Sequence, residues 1–443
     1  MTWRSWTGDV EAPGVHVAVA HDLASLRALV RRGRPLRVAG AGHSCSALVP
    51  SRETIVQLRG MDRILGVDED AGTVRVEAGA RMGQVAQHLA TRGWCLRHIG
   101  SSSYPTVAGA LATAVHGSGR RWGSVSSEAS VTNLTLLLAS GGVLPLAADR
   151  PTDQEFLAAA RTHLGALGIV LDVTLRVERG SAMRVTRERR AVGELPDPSL
   201  HLDGDHVEAW WMPYTSEALV VRRSLLPEYS GVPRGSAAAV AAHRIVGEDL
   251  PLAAALRIVA RHPRLGESFA RWITRASAPA RAVTSILRWD LATVGPRWLR
   301  APTMEFGLPV PALGAALSGL TSLAEEVRAS TPFHLPVNIR WVGADRGTML
   351  SMAEGRETVF VEVPWHGTMP GRNQVLPRVE ALLLSLGGRP HWGKLAYRNP
   401  WALYPARDRW SRVRSTLDPA GVFSNDYLDR LTSGRSLRDT GDL

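Results

Sequence analysis

The chain has 443 residues, enough for two domains, and its 45% hydrophobic content with 14 tryptophans excludes global disorder. Its apolar runs are shorter than the roughly 18 residues of a membrane-spanning helix, and its two cysteines make neither a disulfide framework nor a metal site. The net charge of +11 is compatible with nucleic-acid binding, but the arginines are scattered and form no concentrated patch, which argues against it.

The first six residues contain no apolar signal-peptide core, so a cytoplasmic protein is expected. Of the 52 residues that are lysine or arginine, one is a lysine, Lys394. An ammonium differs from a guanidinium in shape, hydration and ease of pKa tuning. A lysine kept against this bias therefore indicates a need for an ammonium group, and a lysine left over by chance is the alternative.

Helices and strands alternate in the first part of the chain. Apolar periodicity predicts helices at 21–31, 82–91, 108–115 and 153–161. Strands are predicted at 36–39, 53–58, 73–78, 131–139 and 143–146, with a further strand ending near 177. The pair 131–139 and 143–146 should form a hairpin across its glycines. The pattern indicates an α+β domain with connections of mixed type.

The predicted strand 36–39 runs into a loop with the sequence Gly40-Ala41-Gly42-His43-Ser44-Cys45-Ser46. Gly40 and Gly42 permit positive φ and leave no Cβ in the way of a large ligand. Consecutive N–H groups in such a turn suit a phosphate, and His43 and Ser44 follow at the closest approach. An ordinary glycine turn with a surface histidine is the alternative. The dinucleotide-binding fingerprint is absent, because a third glycine is missing and no helix follows directly.

Small residues dominate a second stretch, 100–123. A helix over 108–115 would have almost no bulk on one face, so another backbone or a flat cofactor can approach it closely. The sequence His116-Gly117-Ser118-Gly119 repeats the residue types of the first loop. Two such loops in one domain favour a dinucleotide with a pyrophosphate.

Residues 179–200 are polar and rich in turn formers, which predicts a domain boundary. Beyond it, helices are predicted within 237–290 and at 376–386. Strands are predicted as two runs within 206–223 and at 304–308, 335–342, 348–352 and 358–363.

Two stretches of the second half carry candidate polar site residues. As a strand, 337–341 places Asn338 and Arg340 on one face, where they can line a cavity, and an ordinary solvent-facing edge is the alternative. The turn 391–394 combines His391, a glycine and Lys394, and a plain surface loop is the alternative.

In this order along the chain, these stretches resemble the aldonolactone oxidase/dehydrogenase and alditol oxidase branch of the vanillyl-alcohol-oxidase-type (PCMH-type) FAD flavoproteins. The motifs that carry the resemblance span nearly the whole chain and are Trp6-Thr7-Gly8, 40–44, Ala108-Gly109-Ala110 with 116–119, 164–169, 336–340, 389–394 and 417–427. The resemblance implies an α+β fold in which 1–178 form a FAD-binding domain and 179–414 form an α+β cap on a mixed or antiparallel sheet. It also implies that 415–443 return to the FAD-binding domain.

The resemblance further implies roles for individual residues. His43 falls where the family carries a covalent histidyl–flavin bond. The other cofactor-binding positions correspond to Gly40, Ala41, Gly42, Ser44, Cys45, Ser46, Ser103, Pro105, Thr106, Gly109, Thr113, His116, Gly117, Ser118, Gly168 and Ile169. The catalytic side corresponds to Asn338, Arg340, His391 and Lys394.

The implied reaction is oxidation of a CH–OH group of a sugar-derived lactone, alditol or related polyol, with hydride transfer to flavin N5. Pro105 falls where the family regulates oxygen access, so O2 is the expected acceptor and a dehydrogenase is the alternative. The expected base is His391, or Lys394 if burial beside Arg340 deprotonates it. Arg340 is expected to hold the substrate oxygen.

One residue departs from the family pattern. Family members usually have a glutamate two residues before the arginine, where this chain has Asn338, which is neutral and cannot act as a base. The site is then expected to hold Arg340 and Lys394 without a matching acid from that position. This favours, as the alternative substrate, a charged or non-sugar alcohol of a specialised-metabolite pathway.

The remaining expectations concern Cys45 and the partners. A second flavin bond through the Cys45 sulfur is conceivable, but packing as a small apolar residue is the favoured role. Beyond the substrate and the electron acceptor, no nucleic-acid or membrane partner is expected, and the protein is expected to be a monomer or homodimer.

Overall fold

The protein is built on two large β-sheets, and the chain passes from the first to the second near residue 180. The computed structural model describes residues 2–121, 123–180, 182–226, 250–277, 279–293 and 300–437. Among these residues, no helix has both the length and the apolar character needed to cross a membrane.

The N-terminal half contains a parallel sheet of order β3-β5-β4, an antiparallel sheet of order β10-β9-β11-β7-β6 and a small β1-β2 pair, while β8 pairs with the far end of β11. Its strands are β1 (Trp3–Arg4), β2 (Glu11–Ala12), β3 (His16–Val19), β4 (Leu36–Ala39), β5 (Thr54–Gln57), β6 (Ile64–Asp68), β7 (Thr73–Glu77), β8 (Trp94–Leu96), β9 (Val131–Leu137), β10 (Val143–Ala147) and β11 (Ile169–Arg179). Its helices are α1 (Leu23–Val30), α2 (Met82–Ala90), α3 (Val107–Ala112) and α4 (Gln154–Ala160).

The second half is built on an antiparallel sheet of order β15-β12-β14-β13-β17-β18-β16-β19. Its strands are β12 (Ala182–Ala191), β13 (His206–Trp211), β14 (Glu217–Leu226), β15 (Val283–Arg288), β16 (Thr303–Pro309), β17 (Val337–Val342), β18 (Thr358–Pro364) and β19 (Arg389–Pro390). Its helices are α5 (Pro198–Leu202), α6 (Leu250–Arg261), α7 (Gly266–Ser277), α8 (Trp289–Thr293), α9 (Leu313–Val327) and α10 (Arg372–Ser385).

The two faces of this sheet have different surroundings. Val337, Ile339 and Trp341 of β17 belong to the same hydrophobic core as the inward residues of α9 and α10. The intervening Arg340 points to the opposite face, and so does its cross-strand neighbour Phe360, which joins the core of the N-terminal half. The predicted alternation along 337–341 is therefore confirmed, and it aims a row of β-strand side chains at the N-terminal half.

The C-terminal residues, with helices α11 (Arg407–Leu417) and α12 (Asp426–Thr432), pack against the N-terminal half. The indole of Trp410 is fully buried in that core and donates a hydrogen bond of 3.1 Å to the carbonyl of Thr162. The N–H of Leu36 donates to the carbonyl of Val422, so the chain end also binds directly to β4. The same core already includes residues that precede α11, namely Trp392, Trp401 and Tyr404.

The predicted α+β class is confirmed, with the cap sheet fully antiparallel. Three local predictions were wrong. Residues 182–191 form strand β12, although their polar composition predicted turns, because each side of β12 pairs with another strand. Residues 283–288 form β15 inside a region predicted to be helical, of which 237–249 lie outside the described residues. Residues 348–352 form no strand.

We predict that Trp410→Ala lowers the free energy of unfolding by about 3–5 kcal/mol, because it removes a buried indole from the contact between the chain end and the N-terminal core. Denaturant unfolding measures the change. The control Arg412→Ala removes an exposed side chain of the same helix and should change stability by less than about 0.5 kcal/mol. Equal effects of the two substitutions would contradict the role assigned to Trp410.

Candidate active site

A cavity of about 460 Å³ lies between the N-terminal half and the inner face of the large sheet. One side consists of the loop after β4, residues 100–116 and the turn 163–170. The other side consists of charged side chains from β16, β17 and β18 and the turn after β19. Residues that lie far apart in the sequence therefore share one cavity.

The loop after β4 is shaped by its two glycines in different ways. Gly42 has a φ of +67°, which favours glycine, and its carbonyl accepts a hydrogen bond of 2.7 Å from the Trp6 N–H. Gly40 does not have a positive φ, so the conformational freedom of glycine is not used at this position. It is needed for close approach instead, because a Cβ at Gly40 would overlap the hydroxyl of Thr106, the residue that caps α3.

The imidazole of His43 lies against the cavity with one nitrogen unused. It stacks on Trp6 at 4.4 Å between ring centroids, with Tyr104 on its flank at 5.8 Å. Nε2 is 3.4 Å from the Ser102 hydroxyl, whereas Nδ1 is buried and has no hydrogen-bond partner among the residues that the structure describes. Burial lowers the pKa of His43 to about 4, and the charges of Lys394 and Arg81 add to this effect. The ring is neutral at pH 7 and has a nitrogen available for another group.

The same loop is tied directly to the turn 391–394. The Cys45 N–H donates to the Gly393 carbonyl at 2.8 Å, and the Ser46 hydroxyl donates to the Trp392 carbonyl at 2.6 Å. The Ser44 hydroxyl lies 2.8 Å from that of Ser46. These bonds hold the histidine loop and the lysine turn in a fixed relation across the cavity.

A buried arginine, Arg37, joins three segments behind the cavity. Its guanidinium donates hydrogen bonds to carbonyls of Leu48, Leu164, Gly165 and Phe423. Burial lowers the pKa of Arg37 to about 9, which still leaves it charged at pH 7. Backbone dipoles therefore stabilise a positive charge at the edge of the cavity.

Two cations and two carboxylates form the opposite wall. Arg340 of β17 donates through Nη2 to Glu305 of β16 and, at 2.7 Å, to Glu362 of β18. Lys394 donates to Glu362 at 2.6 Å and to the Thr303 hydroxyl at 2.7 Å. We call Arg340, Lys394, Glu305 and Glu362 the charge cluster. Its formal charges cancel.

The charge cluster shifts the pKa values of Glu305 and Lys394. Burial alone would raise the pKa of Glu305, but Arg340, His116 and Lys394 outweigh it and hold that pKa well below the usual range. Burial would lower the pKa of Lys394, but Glu362 and Glu305 reverse the effect and raise it. The expectation of a deprotonated Lys394 was therefore wrong, since neighbouring carboxylates stabilise the ammonium.

Two histidines border the charge cluster, one from each side of the cavity. His391 is buried, which lowers its pKa to about 3, and its Nδ1 accepts a 3.0 Å hydrogen bond from the Gly393 N–H. The neutral ring must then carry its proton on Nε2, which makes that nitrogen a donor. His116 places Nε2 at 3.1 Å from a Glu305 oxygen. Atoms of these two rings and Glu305 lie close enough to ligate a metal, but the adjacent Arg340 and Lys394 disfavour a cation there.

The structure brings most of the predicted site residues to the cavity. Those that line it are Gly40, Ala41, Gly42, His43, Ser44, Pro105, Thr106, Gly109, Thr113, His116, Gly168, Ile169, Arg340, His391 and Lys394. Those that do not line it are Cys45, Ser46, Ser103, Gly117, Ser118 and Asn338. The Cys45 side chain lies in the cap core, and the Asn338 amide donates to the Ala209 carbonyl at 3.2 Å.

Sequence reasoning missed both carboxylates of the charge cluster. No acid was expected from position 338, and the matching acids come instead from Glu362 on β18, next to β17, and from Glu305 on β16, beyond β18. Each is the single acid in a mostly apolar predicted strand, 304–308 and 358–363. A lone acid in a buried strand is a signal that could have identified them.

The chain is similar to two family models and to several known proteins. Residues 16–147 match the family model of a FAD binding domain, and residues 173–431 match that of D-arabinono-1,4-lactone oxidase. The chain is 31% identical to an L-gulono-1,4-lactone dehydrogenase of Mycobacterium tuberculosis, over 97% of this chain and 98% of the relative. It is 28% identical to an L-gulonolactone oxidase of Scyliorhinus torazame, over 90% of each chain.

A solved structure of similar fold is a cholesterol oxidase from Brevibacterium sterolicum, with a TM-score of 0.78 and 17% identity over 97% of this chain and 96% of that one. Because this similarity covers 97% of the chain, both halves share the fold of that structure.

We predict that Glu305→Gln lowers the free energy of unfolding at pH 7 by about 3–5 kcal/mol, because it leaves Arg340 buried with one of its two carboxylates. The depressed pKa of Glu305 means that its contribution is present above about pH 4.5 and is lost as the pH falls below that value. The difference in unfolding free energy between the wild type and Glu305→Gln should become smaller as the pH falls from 7 to 3. Denaturant unfolding at each pH measures it.

Asp345→Asn is the matched control, because burial raises the pKa of Asp345 and gives the opposite sign. The unfolding free energy of the wild type should rise relative to that of Asp345→Asn as the pH falls. A difference for Glu305→Gln that is independent of pH would contradict the ion pairing described above.

Proposed function

The chain belongs to the D-arabinono-1,4-lactone oxidase family of FAD-dependent oxidoreductases, and on that premise we propose that it oxidises a CH–OH group of a sugar-derived lactone. The relatives named above act on L-gulono-1,4-lactone, which defines the substrate class to test first. Alditols and related polyols carry the same reacting group and form the second class.

The cavity residues fit FAD as the cofactor. Gly40 and Gly42 line the cavity in the loop after β4, and Arg37 supplies a buried positive charge at its edge. Thr106, Gly109 and Ile169 would hold the cofactor from the facing side. The unpartnered Nδ1 of His43 supports a covalent bond from this residue to the flavin. Residues 1–178 with the chain end would then be the FAD-binding domain, and 179–414 the cap.

The observation that carries the substrate proposal is the balance of charge in the cluster. Glu305 and Glu362 neutralise Arg340 and Lys394, so the site offers both hydrogen-bond donors and acceptors without net charge. A neutral polyhydroxylated lactone matches such a site. Uncompensated cations next to Asn338 would favour a charged substrate. Glu305 and Glu362 compensate both cations, so a charged substrate is no longer favoured.

The side chains of the cavity would bind and orient the substrate oxygen. Lys394 uses two of its three N–H groups on Thr303 and Glu362 and keeps one for a ligand. The neutral His391 presents a second donor at Nε2. These donors would stabilise negative charge as it develops on the oxygen. FAD, when bound, supplies the hydride acceptor for the reaction.

The electron acceptor, location and assembly complete the proposal. Pro105 lines the cavity, which supports the earlier expectation that this position controls oxygen access and that O2 is the acceptor. Cys45 and Cys95 are unpaired buried thiols, in keeping with a reducing cytoplasm. We retain a monomer or homodimer as the proposed assembly.

We predict that the purified protein stays yellow after acid precipitation, because the flavin is bonded to His43. In His43→Ala the flavin should appear in the supernatant, since no other bond holds it. Absorbance of the pellet and mass spectrometry of peptides measure the result. Cys45→Ala is the control and should keep the colour, and its loss there would instead support a bond through sulfur. Release of flavin from the wild type would contradict the covalent proposal.

We predict that L-gulono-1,4-lactone is turned over with release of peroxide in air, at a rate that exceeds turnover of sugar acids by at least about tenfold, as expected when a site is built for neutral hydroxyl groups. Parallel assays with an artificial dye under anaerobic conditions separate an oxidase from a dehydrogenase. Preference for a charged substrate would contradict the proposal, and turnover with dye alone would change the acceptor but not the reaction.

A further inference from the structure

Glu362 lies directly opposite Asn338 in the large sheet. The register pairs Asn338 of β17 with Glu362 of β18, and Glu362 in turn with Glu305 of β16. Residues paired across antiparallel strands share a face and have Cβ atoms about 4.5–5.5 Å apart. A carboxylate at either Asn338 or Glu362 would therefore extend from nearly the same part of the sheet.

The other titratable groups of the wall are poor proton acceptors. Lys394 is held as an ammonium by its carboxylate neighbours and has no lone pair. His391 uses Nδ1 as an acceptor and carries its proton on Nε2. Glu305 is 1% exposed, and its Oε1 is shared by Arg340 and the Nε2 of His116. It has little access to a ligand in the cavity.

Glu362 has both exposure and free lone pairs. Its side chain is 14% exposed and lines the cavity. Oε1 accepts from Lys394 and Oε2 accepts from Arg340, so each oxygen has used one of its two lone pairs. Lys394, bonded to the same carboxylate, keeps one N–H. A hydroxyl placed between them could accept from Lys394 and donate to Glu362.

We propose that Glu362 is the catalytic base, which takes the proton of the substrate hydroxyl as the carbon loses its hydride. The assignment rests on the proposed oxidation of a CH–OH group. The O–H bond breaks and its proton forms the Glu362 carboxylic acid, while the C–H hydrogen leaves with its electron pair to the bound FAD and the C–O bond becomes a carbonyl. The alcohol is oxidised by two electrons and the flavin is reduced by two. The base would then lie on β18, directly opposite Asn338, whose neutral amide cannot accept the proton.

The test follows anaerobic flavin reduction by the lactone in a stopped-flow instrument, with FAD content and thermal midpoint recorded for each variant. Glu362→Gln should bind FAD at the wild-type ratio and slow the limiting reduction rate by about 10²–10⁴-fold, the usual contribution of a general base. A rate within threefold of the wild type would overturn the assignment.

The double variant Asn338→Glu with Glu362→Asn conserves charge and returns the carboxylate to the facing position. It should reduce flavin at least about tenfold faster than Glu362→Asn alone, because both positions belong to one cross-strand pair. It also keeps the test decisive if Glu362→Gln fails to fold. A double variant no faster than Glu362→Asn would overturn the proposal. Absence of flavin reduction in the wild type would instead overturn the proposed function.

Discussion

The buried pairing of two cations with two carboxylates is the constraint on which the site depends. Charges removed from water are stable only when partners and hydrogen bonds compensate them. Arg340, Glu305 and Glu362 come from three adjacent strands, and Lys394 comes from the turn after the last strand of the sheet. The strand order β17-β18-β16-β19 is therefore also the order in which the wall of the cavity is assembled.

The same wall is connected to the cofactor side through hydrogen bonds to backbone carbonyls. The Cys45 N–H and the Ser46 hydroxyl, which follow His43, donate to the carbonyls of Gly393 and Trp392, which precede Lys394. Behind the loop, the Arg37 guanidinium joins β4 to the turn at Leu164 and to the chain end at Phe423. The two walls of the cavity are thus held together by hydrogen bonds to main-chain carbonyls. Such fixed geometry lets donors act on developing charge without reorganisation.

Burial keeps both His43 and His391 neutral, but the two rings differ in their hydrogen bonds. His43 keeps an unpartnered Nδ1, whereas His391 uses Nδ1 to accept a backbone N–H and leaves a donor on Nε2. Their pKa values are lowered to about 4 and about 3, chiefly by burial. Two imidazoles that line one cavity therefore present an unprotonated nitrogen on one wall and a hydrogen-bond donor on the other.

The sequence by itself determined the α+β class, most helices and strands of the N-terminal half, the two glycine loops and the polar face of β17. These features depend on local periodicity and on glycine's lack of a Cβ. The sequence also indicated Lys394, because it is the single lysine among 52 lysine and arginine residues. Only the tertiary structure decided the ionisation of that lysine and the partners of Arg340, because Glu305 and Glu362 approach through strand pairing between residues far apart in the chain. Local patterns do not specify which strands become neighbours, so the acids that compensate Arg340 and Lys394 follow only from the order of strands in the sheet.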